Sequence, residues 1–184
     1  GDFRKEDELF PRLDQLQSRL PRKDQLSFQA RKASRGGERE AARKAWEALL
    51  VEYPREGGAR AALASMLVAE NQPDRAVAIL REGLALDQKD HFLLNFLCYH
   101  QAAAGNLPGA LEANDQYQAV LPGDANPWDT RGDVLYDFGR DDEALAAYRK
   151  VLALKADFQG YQPYLKLAVV YTDQKKFSVA EGAL

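Results

Sequence analysis

One cysteine in 184 residues leaves this chain no internal disulfide framework. No apolar run approaches the roughly 20 residues that a membrane-spanning helix needs, and no signal-peptide pattern opens the sequence. Net charge is −3, so the basic excess that marks a nucleic-acid binder is missing. The glycine patterns G-x-G-x-x-G and G-x-x-x-x-G-K-[ST], the nucleophile motif G-x-S-x-G and the kinase signature set are all absent. The two histidines, His91 and His100, stand nine apart, which matches neither H-x3-H nor H-E-x-x-H. These absences argue against a catalytic centre, a metal site or a cofactor site, and the chain is expected not to be an enzyme.

What is present is a period. The stretch Asn126–Phe158 reads as two helices joined by a turn at Gly139. Asn126 followed by Pro127 suits a helix start. Asp141, Asp142 and Glu143 suit the next one, where negative charge meets the positive end of the helix dipole. The second helix carries Ala144, Leu145, Tyr148, Val151 and Leu152 on one face. One such hairpin cannot bury both of its apolar faces, so copies are expected. Stepping back from Ala144 by 34 gives Ala110, Ala76 and Ala42, and stepping forward by 36 gives Ala180. The turn recurs as Gly37, Asn71, Gly105 and Gly139, with Lys175 in the last copy. A small residue in the leading helix recurs as Ala30, Ala64, Cys98, Gly132 and Ala168. Cys98 is therefore expected to be a buried structural thiol.

These columns resemble the tetratricopeptide repeat (TPR) family, with its 34-residue period and pattern W-x2-L-G-x2-Y, A-x3-F, P. Trp128, Gly132, Ala144 and Tyr148 match outright, as do Leu63, Leu67, Leu97, Ala110, Trp46, Pro54 and Pro122. Arg131 and Gln29 stand where Leu is usual, Asn114 where an aromatic is usual, and Gln88 and Ala156 where Pro is usual. The resemblance implies an all-α fold, a TPR α-solenoid in the form of a right-handed superhelix of antiparallel pairs. The repeats are 23–56, 57–90, 91–124, 125–158 and, after the extra Gln159–Gly160, a partial 161–184. Residues 1–22 are expected to form an irregular capping helix on the stripe Leu9, Leu13, Leu16 and Leu20, starting or kinking at Pro11. Leu184 falls mid-helix, so an excerpt from a longer protein is expected. The face of Leu167, Val170, Tyr171 and Ala180 would then be half covered and open to self-association. The runs PGDANPWDTRGDVLYDFGR and GYQPYLKLAVVYTDQKKFSVAEGAL also look like arrays attached to bacterial serine/threonine kinases and winged-helix regulators. A cytoplasmic location is favoured, with the periplasm as the alternative for an array on a membrane-anchored kinase.

The family resemblance implies a protein or peptide ligand in a concave groove lined by the leading helices. Carried over by position, that groove contains Arg31, Arg35, Phe92, Asn95, Tyr99, Asn126, Asp129, Asp133, Tyr136 and Asp137, with Leu165 and Val169 at its far end. The Lys/Asn pairing by which one TPR subgroup grips chaperone C-termini has no counterpart here. Charge is uneven: residues 1–60 hold 14 Lys/Arg against 11 Asp/Glu, and 61–184 hold 11 against 17. Asp129, Asp133 and Asp137 make one like-charge stripe, which costs roughly 0.2–0.5 kcal/mol per neighbouring pair. Two readings follow. Either the stripe is solvated or neutralised by Arg of an adjacent repeat, or it joins Phe92, Tyr99 and Tyr136 to receive a basic residue beside an apolar one. A self-association or spacer module, and a substrate-presenting accessory domain, are the competing functions.

Overall fold

The computed structural model describes residues 11–12 and 14–182. Among them, ten helices follow a short 3-10 turn at Gln17–Arg19, and no strand occurs. They are α1 (Arg22–Arg35), α2 (Arg39–Glu52), α3 (Gly57–Ala69), α4 (Pro73–Leu86), α5 (His91–Ala103), α6 (Leu107–Val120), α7 (Asn126–Asp137), α8 (Asp141–Leu154), α9 (Gln162–Asp173) and α10 (Phe177–Gly182). Each odd-numbered helix packs on the even one after it, and each even one on the next odd one. The leading helices α3, α5 and α7 also touch in succession. The result is an α-solenoid of antiparallel pairs.

The period is built into the backbone. Gly37, Asn71, Gly105, Gly139 and Lys175 all have positive φ, between 59° and 75°. The residue after each donates its N–H to the carbonyl five places back, at 2.8–3.0 Å, closing the leading helix: Glu38 to Ala33, Gln72 to Leu67, Asn106 to Gln101, Arg140 to Leu135 and Lys176 to Tyr171. Lys175 takes the left-handed turn although its side chain disfavours it, so position in the stack overrides local preference. The start of α7 differs from expectation by one place. Asn126 lies inside the helix, Ala125 is the cap, and the Asp124 side chain accepts the Asn126 N–H at 2.7 Å.

The small columns lie where the helices cross. Ala76, Ala110 and Ala144 are fully buried, as are Ala30, Ala64 and Cys98. Burial pushes the Cys98 thiol up to about 12, so it remains protonated and unreactive near neutrality. Ala110→Phe should overpack its crossing at about 1–3 kcal/mol, and an unchanged circular-dichroism melt would argue against this register.

Two departures from the repeat pattern compensate one another. Asn114, fully buried in the aromatic column, donates to the Pro127 carbonyl at 2.8 Å. Arg131 reaches back from the next repeat to Asp115 at 2.8 Å and lies 3.4 Å from the Asn114 Oδ1. A buried amide needs partners, and Arg131 supplies one. At the first repeat, Asp14 pairs with Lys32 at 2.7 Å, and Leu16 is exposed. Leu9 and Leu13 of the expected stripe lie outside the described residues, as does Leu184. The face expected to be half covered is closed: Leu167, Val170, Tyr171 and Ala180 are at most 9% exposed. They pack with Leu135, Ala144, Leu145 and Tyr148 of the preceding pair.

His100 is buried on α5 beside Phe96, with ring centroids 5.8 Å apart, and its Nε2 has no hydrogen-bond partner. Burial lowers its pKa. The neutral ring therefore favours the folded state, and this contribution, present above the unfolded value, is lost as pH falls through the lowered folded value. The melting temperature should drop on acidification from neutral pH, and His100→Phe should flatten that part of the profile. An identical pH profile for the variant would remove His100 as the cause.

Candidate functional site

Polar side chains connect the leading helices α5, α7 and α9. Asn95 on α5 accepts from the Thr130 hydroxyl on α7 at 2.8 Å. Tyr99 donates to Asp133 at 3.0 Å. One helix further, Lys166 on α9 places its Nζ 2.7 Å from both Asp129 and Asp133. Tyr148 of α8 donates to Asp133 at 2.9 Å, and its ring lies 5.4 Å from the Lys166 ammonium. Tyr136 donates to Asp173 on α9. All but the Tyr148–Asp133 bond, which closes one hairpin, join a leading helix or its partner to the next repeat.

Electrostatically this is a neutralised cluster. Asp129 is only 6% exposed, and burial raises its carboxyl pKa while the Lys166 ammonium opposes the rise. Burial likewise raises the phenol pKa values of Tyr99 and Tyr148, further raised by the Asp133 charge, so both remain donors. Asp133 satisfies two phenols and shares one ammonium. The cation comes from a lysine of the following repeat, where an arginine was the expected neutraliser. Asp137, exposed and without a partner among the described residues, is the free end of the stripe. Partial burial, then the Asp133 charge, raises its pKa.

The ten groove positions therefore divide. Asn95, Tyr99, Asp129 and Asp133 are held together between repeats, and Tyr136 is held to Asp173. Asn126 and Asp137 face solvent, and Phe92 is 44% exposed against Phe96 at 4.8 Å. Arg31 is exposed, 6.0 Å from the Trp46 ring centroid, and Arg35 is exposed on the same helix. Leu165 and Val169 are 49% and 48% exposed. The sequence reading missed Lys166, Thr130 and Tyr148 as partners. Lys166 stands 36 places after Thr130, whose hydroxyl bonds Asn95, and the place of Asn95 is held one repeat later by Asp129.

None of the cavities of about 160–480 Å³ at Arg60, Tyr161, Phe158 or Gln101 is lined by this cluster. Among the described residues no three His, Cys, Asp or Glu side chains group as metal ligands, and no helix is long and apolar enough to cross a membrane. What the face offers is shape, exposed apolar side chains and charge, which suits recognition.

Helix pairs, left-handed turns and small-residue crossings of this kind define an α-solenoid of the TPR type. Residues 125–158 match the tetratricopeptide repeat family model. A thermophilic TPR protein of Thermus thermophilus is 20% identical, with a TM-score of 0.74 over 90% of this chain and 88% of that one. PilW, a type IV pilus biogenesis factor, is 14% identical, with a TM-score of 0.73 over 99% and 83%. MamA of Desulfovibrio magneticus RS-1 is 14% identical, with a TM-score of 0.65 over 88% and 90%. At such identities the likeness is one of fold. No curated protein sequence matches the chain. These comparisons do not support the narrower likeness to arrays attached to kinases and winged-helix regulators.

Proposed function

We propose that the chain is a non-catalytic scaffold that binds a protein or peptide along the face of its leading helices. One observation carries this reading. Side chains between successive repeats fix α5, α7 and α9 side by side, while Phe92, Asn126, Asp137, Leu165 and Val169 on the same helices remain exposed. Large apolar side chains left in water beside charge are what an interaction surface requires. Arg31 gives its first end an exposed cation, and Asp137 its later end an exposed anion. The context that fits is a docking or sensory part of a larger bacterial regulator, a reading that rests on sequence phrasing.

The test is affinity capture from a lysate of the source organism, comparing two sets of surface variants. Arg31→Ser, Phe92→Ser, Asp137→Asn and Val169→Ser together should lose the captured partner. Val51→Ser with Leu86→Ser, exposed on the second helices, should retain it. Equal capture by both sets would move the interaction off the leading helices. Asp133 is unsuitable as a probe, because its substitution also removes support from Tyr99, Tyr148 and Lys166.

A further inference from the structure

We propose that the junction of α8 and α9 is a charge-set joint: the Lys166 ammonium, shared by Asp129 and Asp133, holds the last helix pair at its angle, and neutralising Asp129 lets that pair turn about Gln159–Tyr161. The proposal concerns the shape of the array and stands whatever the leading-helix face binds. This junction differs from the others in its backbone. Two extra residues, Gln159–Gly160, interrupt the 34-residue period. Gln159, Gly160 and Tyr161 adopt φ of 45°, 65° and 69°. Among the described residues, the other junctions between pairs hold one left-handed residue, Gly123, or none. Gln159 and Tyr161 carry side chains that disfavour this conformation. Such strain persists only where the surroundings impose it, and a few loop residues that can change φ and ψ are what a hinge requires.

Packing across the junction is one-sided. Leu167, Val170 and Tyr171 of α9 pack with Leu135, Ala144, Leu145 and Tyr148 and form an apolar seam. On the leading-helix side, α3, α5 and α7 pack directly in succession, but α9 makes no comparable approach to α7, as α1 makes none to α3. Long polar side chains bridge the gap between α7 and α9. Lys166 places its Nζ 2.7 Å from Asp129 and from Asp133. The second bridge, from Tyr136 to Asp173, is exposed, so water competes for both of its partners.

The Lys166 bridge responds to protons because one of its carboxylates is buried. Asp129 is 6% exposed and is faced by Lys166 on α9, Asp133 on its own helix, Tyr99 on α5 and Tyr148 on α8. Lys166 is the one cation of the four, and both phenols donate to Asp133. Burial, opposed by Lys166, raises the Asp129 carboxyl above its ordinary value, so it takes up a proton before an exposed carboxylate does as pH falls. Lys166 then keeps only Asp133, an anion already shared with two phenols. The attraction between α9 and α7 falls, and the strained run is free to relax.

Pulsed electron–electron resonance between spin labels tests this in the full chain carrying Cys98→Ala, the residue its column holds at Ala30, Ala64 and Ala168. Labels at Ala69→Cys and Thr172→Cys span the joint, and labels at Ala69→Cys and Ala146→Cys do not; all three positions are exposed. Thr172 lies about 16 Å along α9 from Tyr161, so a turn of about 15°, the scale of rigid-body switches, moves it by about 4 Å. Lys166→Met with Asp129→Asn removes the bridge without stranding a charge. In this variant the first distance should lengthen by about 4 Å, and the second should hold. Lowering the pH should lengthen the first distance in the parent and leave it unchanged in the variant. An unaltered first distance in the variant would overturn the joint and assign the angle to the apolar seam. A pH response equal in parent and variant would overturn the part given to Asp129. Equal lengthening of both distances would replace the joint with a loosening of the whole array.

Discussion

Gly132→Val should destabilise the array by about 1–3 kcal/mol, toward the upper end of what overpacking usually costs. A β-carbon added at this position would lie 2.4 Å from Cε1 and 2.6 Å from Cδ1 of Tyr148, distances that real side chains do not adopt. The ring cannot swing away freely. Tyr148 is 2% exposed, packs with Leu135, Ala144 and Leu167, and donates its hydroxyl to Asp133. Displacing it would separate α7 from α8 and also remove a donor from the cluster that joins repeats four and five. Gly132→Ala should cost less than Val, since one carbon can be absorbed by a smaller shift. Replacing the ring in Gly132→Ala with Tyr148→Leu should recover part of the loss. Thermal or denaturant unfolding decides, and a Val variant as stable as the parent would mean that this helix crossing is wrong.

Lys166→Met carries the second large effect. Methionine keeps most of the aliphatic volume, so the loss reports on charge. Asp129 would remain buried without a cation, and Asp133 would face it across one turn of α7. Removing one partner of a fully buried pair costs about 3–5 kcal/mol. The Lys166 side chain is 26% exposed, so solvent relieves part of that, and about 2–3 kcal/mol is expected. Adding Asp129→Asn should restore much of the stability, because the stranded charge is gone. The pH dependence has a definite sign. Burial already raises the Asp129 carboxyl, and loss of Lys166 removes what opposes the rise. A raised carboxyl favours the folded state when protonated, so the deficit of Lys166→Met should shrink as pH falls through that value and grow as it rises. A deficit that is constant with pH would mean that the lysine acts through packing alone.

Much of this was legible in the chain. The alanine and small-residue columns, the turns at Gly37, Asn71, Gly105, Gly139 and Lys175, and the pairing of helices follow from a 34-residue recurrence. Each such position has one steric requirement that only a few side chains meet. A crossing takes Ala, Cys or Gly, and a left-handed turn takes Gly or Asn most easily. The polar contacts of the leading-helix face were legible only in outline. Position alone put Asp129, Asp133 and Asp137 on one stripe, but it gave all three the same standing. The structure separates them: Asp129 is buried, Asp133 is shared among three donors, and Asp137 is exposed.

The physical reason lies in the range of the interactions. Repeat identity is enforced by contacts within one hairpin and its nearest neighbour, so composition at fixed spacing records it. Whether a charged side chain is spent internally depends on a partner more than 30 residues away and on the angle at which two repeats meet. Lys166 reaches Asp129 and Asp133 across such a junction, just after a two-residue insertion that changes the register. The same insertion creates the left-handed run at Gln159–Tyr161 and the cavity beside it. Recurrence along the chain was enough to establish an array of paired helices with a shared face. Which side chains on that face are already engaged emerged only when the repeats were stacked, because burial and charge pairing are properties of the assembled array.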